Sequence, residues 1–145
     1  MLPRLAAALS SRLPSGFSFA LFSSTASSSS PSAAQQHKMS VKELVETAIS
    51  GNKVVIFSKS YCPYCKKVKS LFEKEFPDVT PAVFELDERD DGSTIQEYLH
   101  QKTGQRTVPN VFINEQHIGG NDDTQAAFKA GKLAGLIKAD PPARL

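Results

Sequence analysis

Val54-Val55-Ile56-Phe57 is an unbroken apolar run between Lys53 and Ser58, and it limits the fold more than any other stretch of the chain. A strand with one wet face alternates apolar and polar residues, whereas a short continuous run rich in β-branched residues suits a strand buried on both faces. Such a strand needs a layer on each side, and helical patterns flank it. Before it, Val41, Leu44, Val45, Ala48 and Ile49 recur at helical spacing, Ser40 with Glu43 reads as a capping box, and Gly51 ends the segment. After it, Pro63 opens a second helix with Val68, Leu71, Phe72 and Phe76 on its buried side, and Pro77 to Pro81 break it.

The remaining segments complete the pattern. Ala82-Val83-Phe84-Glu85-Leu86 reads as a strand, and Asp90-Asp91-Gly92-Ser93 as turn and cap chemistry before a helix through Ile95, Tyr98 and Leu99 that stops at Gly104. Val111-Phe112-Ile113 and His117-Ile118 flank Asn114-Glu115-Gln116 as a hairpin, after which Gly119-Gly120 leads into a final helical region capped by Asn121, Asp122 or Asp123. The order is α-β-α-β-α-β-β-α: an α/β domain with a mixed four-stranded sheet flanked by helices on both faces. No internal repeat interrupts it.

Composition divides the chain near Met39. Residues 1–38 contain no Asp or Glu, are rich in Ser and Ala, and carry Arg4 and Arg12 among apolar residues, which is the makeup of a disordered, cleavable targeting peptide. A secretory signal is the alternative, since residues 16–22 are apolar, but the run is interrupted by serine and too short to span a membrane. A transit peptide predicts mitochondrial import, with a plastid as the other destination, and Met39 as an internal start would give a cytosolic form. The domain is expected over 39–140, with 141–145 as a loose tail. Only 3 of the 17 basic residues fall in the first 40 and none of the 15 acidic ones does, so the domain is near neutral. A near-neutral domain has no general electrostatic attraction for nucleic acid.

The only two cysteines are Cys62 and Cys65. A structural zinc site usually takes four Cys or His ligands, and His37, His100 and His117 are scattered, so no metal is expected. A structural disulfide across three residues closes a tiny loop and stabilises little. Redox chemistry explains more. Placed where a strand runs into a helix, the first sulfur lies at a helix N-terminus, where unpaired N–H groups and the dipole favour thiolate. Pro63 suits the first helical turn. Cys62 should therefore be exposed, low in pKa and nucleophilic, and Cys65, a turn further in, should resolve the mixed disulfide. Lys59, Lys66 and Lys67 add positive charge, although Lys66 and Lys67 read better as a solvated face.

Lys59-Ser60-Tyr61-Cys62-Pro63-Tyr64-Cys65, followed by Thr107-Val108-Pro109-Asn110-Val111-Phe112-Ile113 and Ile118-Gly119-Gly120, resembles a dithiol glutaredoxin of the thioredoxin-fold superfamily. The resemblance covers residues 40–138, with three motifs in family order. It implies a thioredoxin-like fold and a cis bond before Pro109. The residues alone favour an ordinary trans proline there, because cis is the minority even at X–Pro bonds.

The resemblance further implies a glutathione site. The backbone of Val108 would pair with the glutathionyl moiety, Lys59 and Gln96 would bind its glycine carboxylate, Asn121 and Asp122 would hold the γ-glutamyl end, and Tyr64 and Thr107 would line the groove. Gln96 also fits a capping box with Ser93, Asp122 and Asp123 fit plain helix caps, and Arg106 fits a surface role. Gly119 and Gly120 are better explained by backbone geometry than by chemistry. The implied activity is glutathione-dependent reduction of protein disulfides and protein–glutathione mixed disulfides by a monomer, with glutathione as reductant. The rival is a [2Fe–2S] carrier or sensor in which glutathione and the first cysteine of two subunits hold the cluster; the proline after Cys62 argues against it.

Overall fold

The computed structural model describes residues 39–140. The targeting peptide expected over 1–38 and the tail at 141–145 lie outside the described residues. The elements run α1 (Val41–Gly51), β1 (Val54–Ser58), α2 (Pro63–Glu75), β2 (Ala82–Glu85), a short 3₁₀ turn (Leu86–Glu88), α3 (Gly92–Thr103), β3 (Asn110–Ile113), β4 (Gln116–Gly119), α4 (Asn121–Lys129) and α5 (Lys132–Lys138).

The sheet order is β2-β1-β3-β4, with β1 parallel to β2 and antiparallel to β3. All five residues of β1 are buried, and alternate side chains go to opposite faces. Val54 and Ile56 join Val111 and Ile113 of β3 against Val68, Leu71 and Phe72 of α2 and Leu133 and Ile137 of α5. Val55 and Phe57 join Phe112 against Val45 and Ile49 of α1 and Ile95 and Leu99 of α3. The expected thioredoxin-like layering is therefore present, and it fixes the end of β1 at the start of α2.

Four local expectations are refined. The hairpin loop is two residues, Asn114 and Glu115, both with positive φ (47° and 67°), and Gln116 already pairs with Ile113 in β4. The final helical region is two helices parted at Gly131, whose φ of 73° ends the first. The strand expected through Leu86 gives way to the 3₁₀ turn there. The capping box of Ser93 with Gln96 is absent: α3 starts at Gly92, its N-cap is Asp91, and both Asp91 oxygens are held by the Arg89 guanidinium at 2.8 and 2.9 Å. Gly92 must stay small, because a Cβ there would run into the Leu86 carbonyl.

Asn114 ties the hairpin to the last helix. Its side chain is buried, its Nδ2 donates to the carbonyls of Leu136 and Ala139, and its N–H donates to Lys53 O at 2.8 Å. Asn114→Ala removes both side-chain bonds and puts alanine in the left-handed region, so a loss of about 3 kcal/mol is expected in urea unfolding.

Candidate functional site

β1 delivers the chain to the loop before α2, and the loop is fixed from two sides. The Cys62 N–H donates to Lys59 O at 3.0 Å, closing a turn over Ser60 and Tyr61. From across the sheet, the Asp87 carboxylate accepts the Ser60 N–H at 2.8 Å and also the Ser60 hydroxyl. Those two bonds, with a smaller contribution from Lys59, hold Asp87 below the usual carboxylate range. Neither Ser60 nor Asp87 stands out in the sequence, since nothing local relates residues 27 positions apart.

Cys62 is the N-cap of α2 and is half-buried, whereas Cys65, in the first turn, has no exposed surface. The structure holds both as free thiols. Burial is the largest influence on Cys62 and pushes its thiol up. The Cys65 N–H and thiol, the Tyr64 N–H and the Lys59 charge act the other way and together prevail, so the thiol lies below its ordinary value. Burial dominates at Cys65 and, with the neighbouring Cys62, holds its thiol above the ordinary value. The two sulfurs are thus differentiated as the sequence suggests: an accessible, acidic first thiol and a covered, reluctant second. Lys59→Gln is expected to raise the pH midpoint of Cys62 alkylation only slightly, because the charge is solvent-screened and is the smallest of the influences that lower it.

Facing Cys62 is the loop before β3. The Val108–Pro109 bond is cis, as the resemblance implies and against what the residues alone favour. The Val108 carbonyl lies 4.0 Å from Cys62 Sγ. A groove of about 460 Å³ opens beside it, lined by Tyr64, Gln105, Thr107, Val108, Pro109 and the start of α4 at Gly120–Asp123. Of the residues singled out in the sequence, Tyr64, Thr107, Val108, Pro109, Asn121 and Asp122 meet in this groove. Lys59 and Gln96 are not among its lining. Lys59 acts on Cys62 from the turn, and Gln96 Nε2 donates to Arg106 O at 2.6 Å, at the loop's edge.

The α4 end of the groove is built around Gly119 and Gly120. Asp123 caps the helix by accepting the Gly120 N–H at 3.1 Å, and Thr124 returns two bonds to Gly120 O. Gly119 has φ 123°, and a Cβ on it would collide with the Asp123 carboxylate, so glycine is required. Asn121 Nδ2 donates to Asp122 Oδ1 at 2.9 Å, leaving Asn121 Oδ1 buried without a hydrogen-bond partner. Gln105 is the lining residue that the sequence does not single out.

Such a site can exchange disulfides through Cys62 with a thiol-bearing molecule held beside it. The family model for Glutaredoxin matches residues 54–118. Glutaredoxin-C4 of Arabidopsis thaliana is 56% identical over 95 residues, covering 66% of this chain and 69% of that protein. Glutaredoxin-1 of Rhizophagus irregularis is 52% identical over 99 residues, covering 68% of this chain and 96% of the relative. Among solved structures, the buckwheat glutaredoxin–glutathione complex superposes with a TM-score of 0.64 at 42% identity, over 67% of this chain and 86% of that one. The holo form of glutaredoxin C1 from Populus tremula x tremuloides gives 0.64 at 39% identity, over 68% and 95%. With the acidic Cys62 at the head of α2, the buried Cys65 behind it and the cis-proline loop opposite, the chain belongs to the glutaredoxin family and is a thiol–disulfide oxidoreductase.

Proposed function

We propose that the protein uses glutathione to reduce protein–glutathione mixed disulfides, and also protein disulfides. The observation that carries the reading is the groove along Val108 and Pro109 to the first turn of α4, whose Val108 carbonyl lies 4.0 Å from the Cys62 sulfur. Glutathione is an extended tripeptide with a carboxylate at each end and one ammonium. Val108 offers it a backbone to pair with as a short added strand. The α4 N–H groups suit the γ-glutamyl carboxylate, and Asn121 Oδ1 and Asp122 suit its ammonium. Lys59, in the turn before Cys62, and Gln96, on the Arg106 carbonyl, suit the glycine carboxylate. The buckwheat relative, solved as a complex with glutathione, supports the same ligand class.

The exchange conserves electrons without any other group. Cys62 thiolate attacks the glutathione sulfur of the mixed disulfide; the Cys62–glutathione bond forms, the original S–S bond breaks, and the protein leaves as a thiolate that takes a proton from water. A second glutathione thiolate then attacks the bound glutathione sulfur, releasing glutathione disulfide and restoring Cys62 thiolate. With a protein disulfide, Cys62 forms a mixed disulfide with the substrate, Cys65, once deprotonated, attacks Cys62 and expels the second substrate thiolate, and two glutathiones then reopen the resulting Cys62–Cys65 disulfide, leaving as glutathione disulfide. The raised pKa of Cys65 makes it a poor competitor until the mixed disulfide exists.

The Cys65→Ser variant separates the two routes. Measured with glutathione reductase and NADPH recycling the glutathione, it should retain most turnover on a glutathionylated peptide and lose turnover on a protein disulfide. Loss of both would overturn the one-cysteine route. Visible absorbance of anaerobically prepared protein tests the [2Fe–2S] reading, and a featureless spectrum is expected. The acid-free segment 1–38 is proposed to direct import, most simply into mitochondria, which imaging of the tagged full chain beside a version starting at Met39 would test.

A further inference from the structure

The loop that presents Val108 has its own internal brace. Gln105 Nε2 donates to Thr107 O at 3.0 Å and to Pro109 O at 2.9 Å, so one side-chain amide spans the carbonyls on either side of Val108. Gln96 Nε2 takes the Arg106 carbonyl at 2.6 Å. Among the described residues, the Val108 carbonyl meets only the Cys62 sulfur. The carbonyls of Arg106, Thr107 and Pro109 are thus occupied by glutamine amides, and that of Val108, in the groove wall, is left for a ligand.

Gln105 is itself anchored. Its N–H donates to Thr103 Oγ1 at 3.1 Å, and that hydroxyl donates to Leu99 O at 2.8 Å, in the last turns of α3. A continuous path of hydrogen bonds therefore runs from the end of a core helix to both flanks of Val108. A primary amide nitrogen is suited to this place because it carries two hydrogens, one for each carbonyl. A carboxylate of the same shape would face both carbonyls with negative charge, and a thioether would donate to neither. The Gln105 side chain also stands in the groove wall, with no ionisable group to alter the Cys62 thiol.

We propose that Gln105 is a positioning residue: it holds the Val108 backbone in the orientation that pairs with the glutathionyl part of a mixed disulfide, and so sets affinity for glutathione-bearing substrates without entering the sulfur exchange. The inference rests on the glutathione reading above. Without the brace the loop keeps its connection to β3, but Val108 samples orientations that do not pair, and binding must restore the right one.

The test compares the wild type with Gln105→Met, which keeps the length and removes the donors, and Gln105→Glu, which keeps the shape and inverts the polarity. Steady-state kinetics on a glutathionylated peptide should show KM raised roughly tenfold in Gln105→Met, the loss of two partly exposed hydrogen bonds, with kcat within about twofold. Gln105→Glu should raise KM further. Single-turnover reduction of dithiobisnitrobenzoate, which carries no glutathione, should proceed at the wild-type rate in Gln105→Met, and the pH midpoint of Cys62 alkylation should not move in that variant, which adds no charge. An unchanged KM in both variants overturns the proposal while leaving the glutathione reading in place. Equal loss on the glutathionylated and glutathione-free disulfides also overturns it, since the role would then be general to the fold. Failure of the wild type to saturate with the glutathionylated peptide instead overturns the glutathione reading itself. Each variant's thermal midpoint checks folding, and if one is destabilised the other still supplies the comparison.

Discussion

Cys62→Ser is expected to lower glutathione-dependent disulfide reduction by on the order of 10³-fold or more, to the background of the assay. The size follows from the chemistry of the atom replaced. At neutral pH a serine hydroxyl has no appreciable alkoxide, while the Cys62 thiol is acidified by the N–H groups of the first turn of α2 and by Lys59. Cys65 does not substitute for it, being buried and held above its ordinary pKa. Fold and stability should be almost untouched, because Cys62 donates no strong side-chain bond and its backbone bonds to Lys59 and Lys66 survive. Turnover measured with glutathione reductase and NADPH, beside an unchanged thermal midpoint, checks the claim. Substantial residual activity would mean that another atom attacks.

The largest effect on stability is expected at Phe57. The ring sits on the central strand with no exposed surface, stacked on Phe84 at 5.3 Å between centroids and edge-on to Phe112 at 6.0 Å. Phe57→Ala removes the transfer energy of the ring and leaves a cavity walled by strands and helices that cannot close on it, at a cost of about 3–5 kcal/mol. Against a total of roughly 5–15 kcal/mol for a domain of this kind, that is enough to unfold a large fraction of a less stable chain at physiological temperature. Urea unfolding followed by far-UV circular dichroism measures it. A loss under about 1 kcal/mol would contradict the packing described.

These two residues mark what the sequence makes legible. Val54 to Phe57 suit only a doubly buried strand, and two faces of core follow from it, with Val54 and Ile56 on one and Val55 and Phe57 on the other. Cys62 and Cys65 take different roles from their offset along a helix, and burial separates them as expected. The reason is local: period and helix position are properties of neighbours in the chain.

What is not legible depends on contacts between distant segments, or on competition for one group. Ser93 and Gln96 have the spacing of a cap, but Arg89 occupies Asp91 at the helix start and the Gln96 amide finds the Arg106 carbonyl instead. The cis bond before Pro109 is a minority state that residue type does not reveal; the family motif does. Gln105 lies in no periodic pattern, and its partners are carbonyls, which every residue has, so its role emerges only once the loop is folded. Asp87 reaches Ser60 through the parallel pairing of β1 and β2, which places the end of one strand beside the end of the other.

The proposed catalysis depends on Cys62 being an ionised nucleophile beside a site for glutathione. The Cys65→Ser variant, in which Cys62 is the sole sulfhydryl, tests this directly: titrate its thiolate by ultraviolet absorbance, and follow by intact mass its reaction with glutathione disulfide at each pH. The predicted result is a titration midpoint below that of an ordinary cysteine, a single glutathione adduct whose rate of formation follows that midpoint, and removal of the adduct by added glutathione. A midpoint at or above that of an ordinary cysteine, or an adduct that glutathione does not remove, would contradict it.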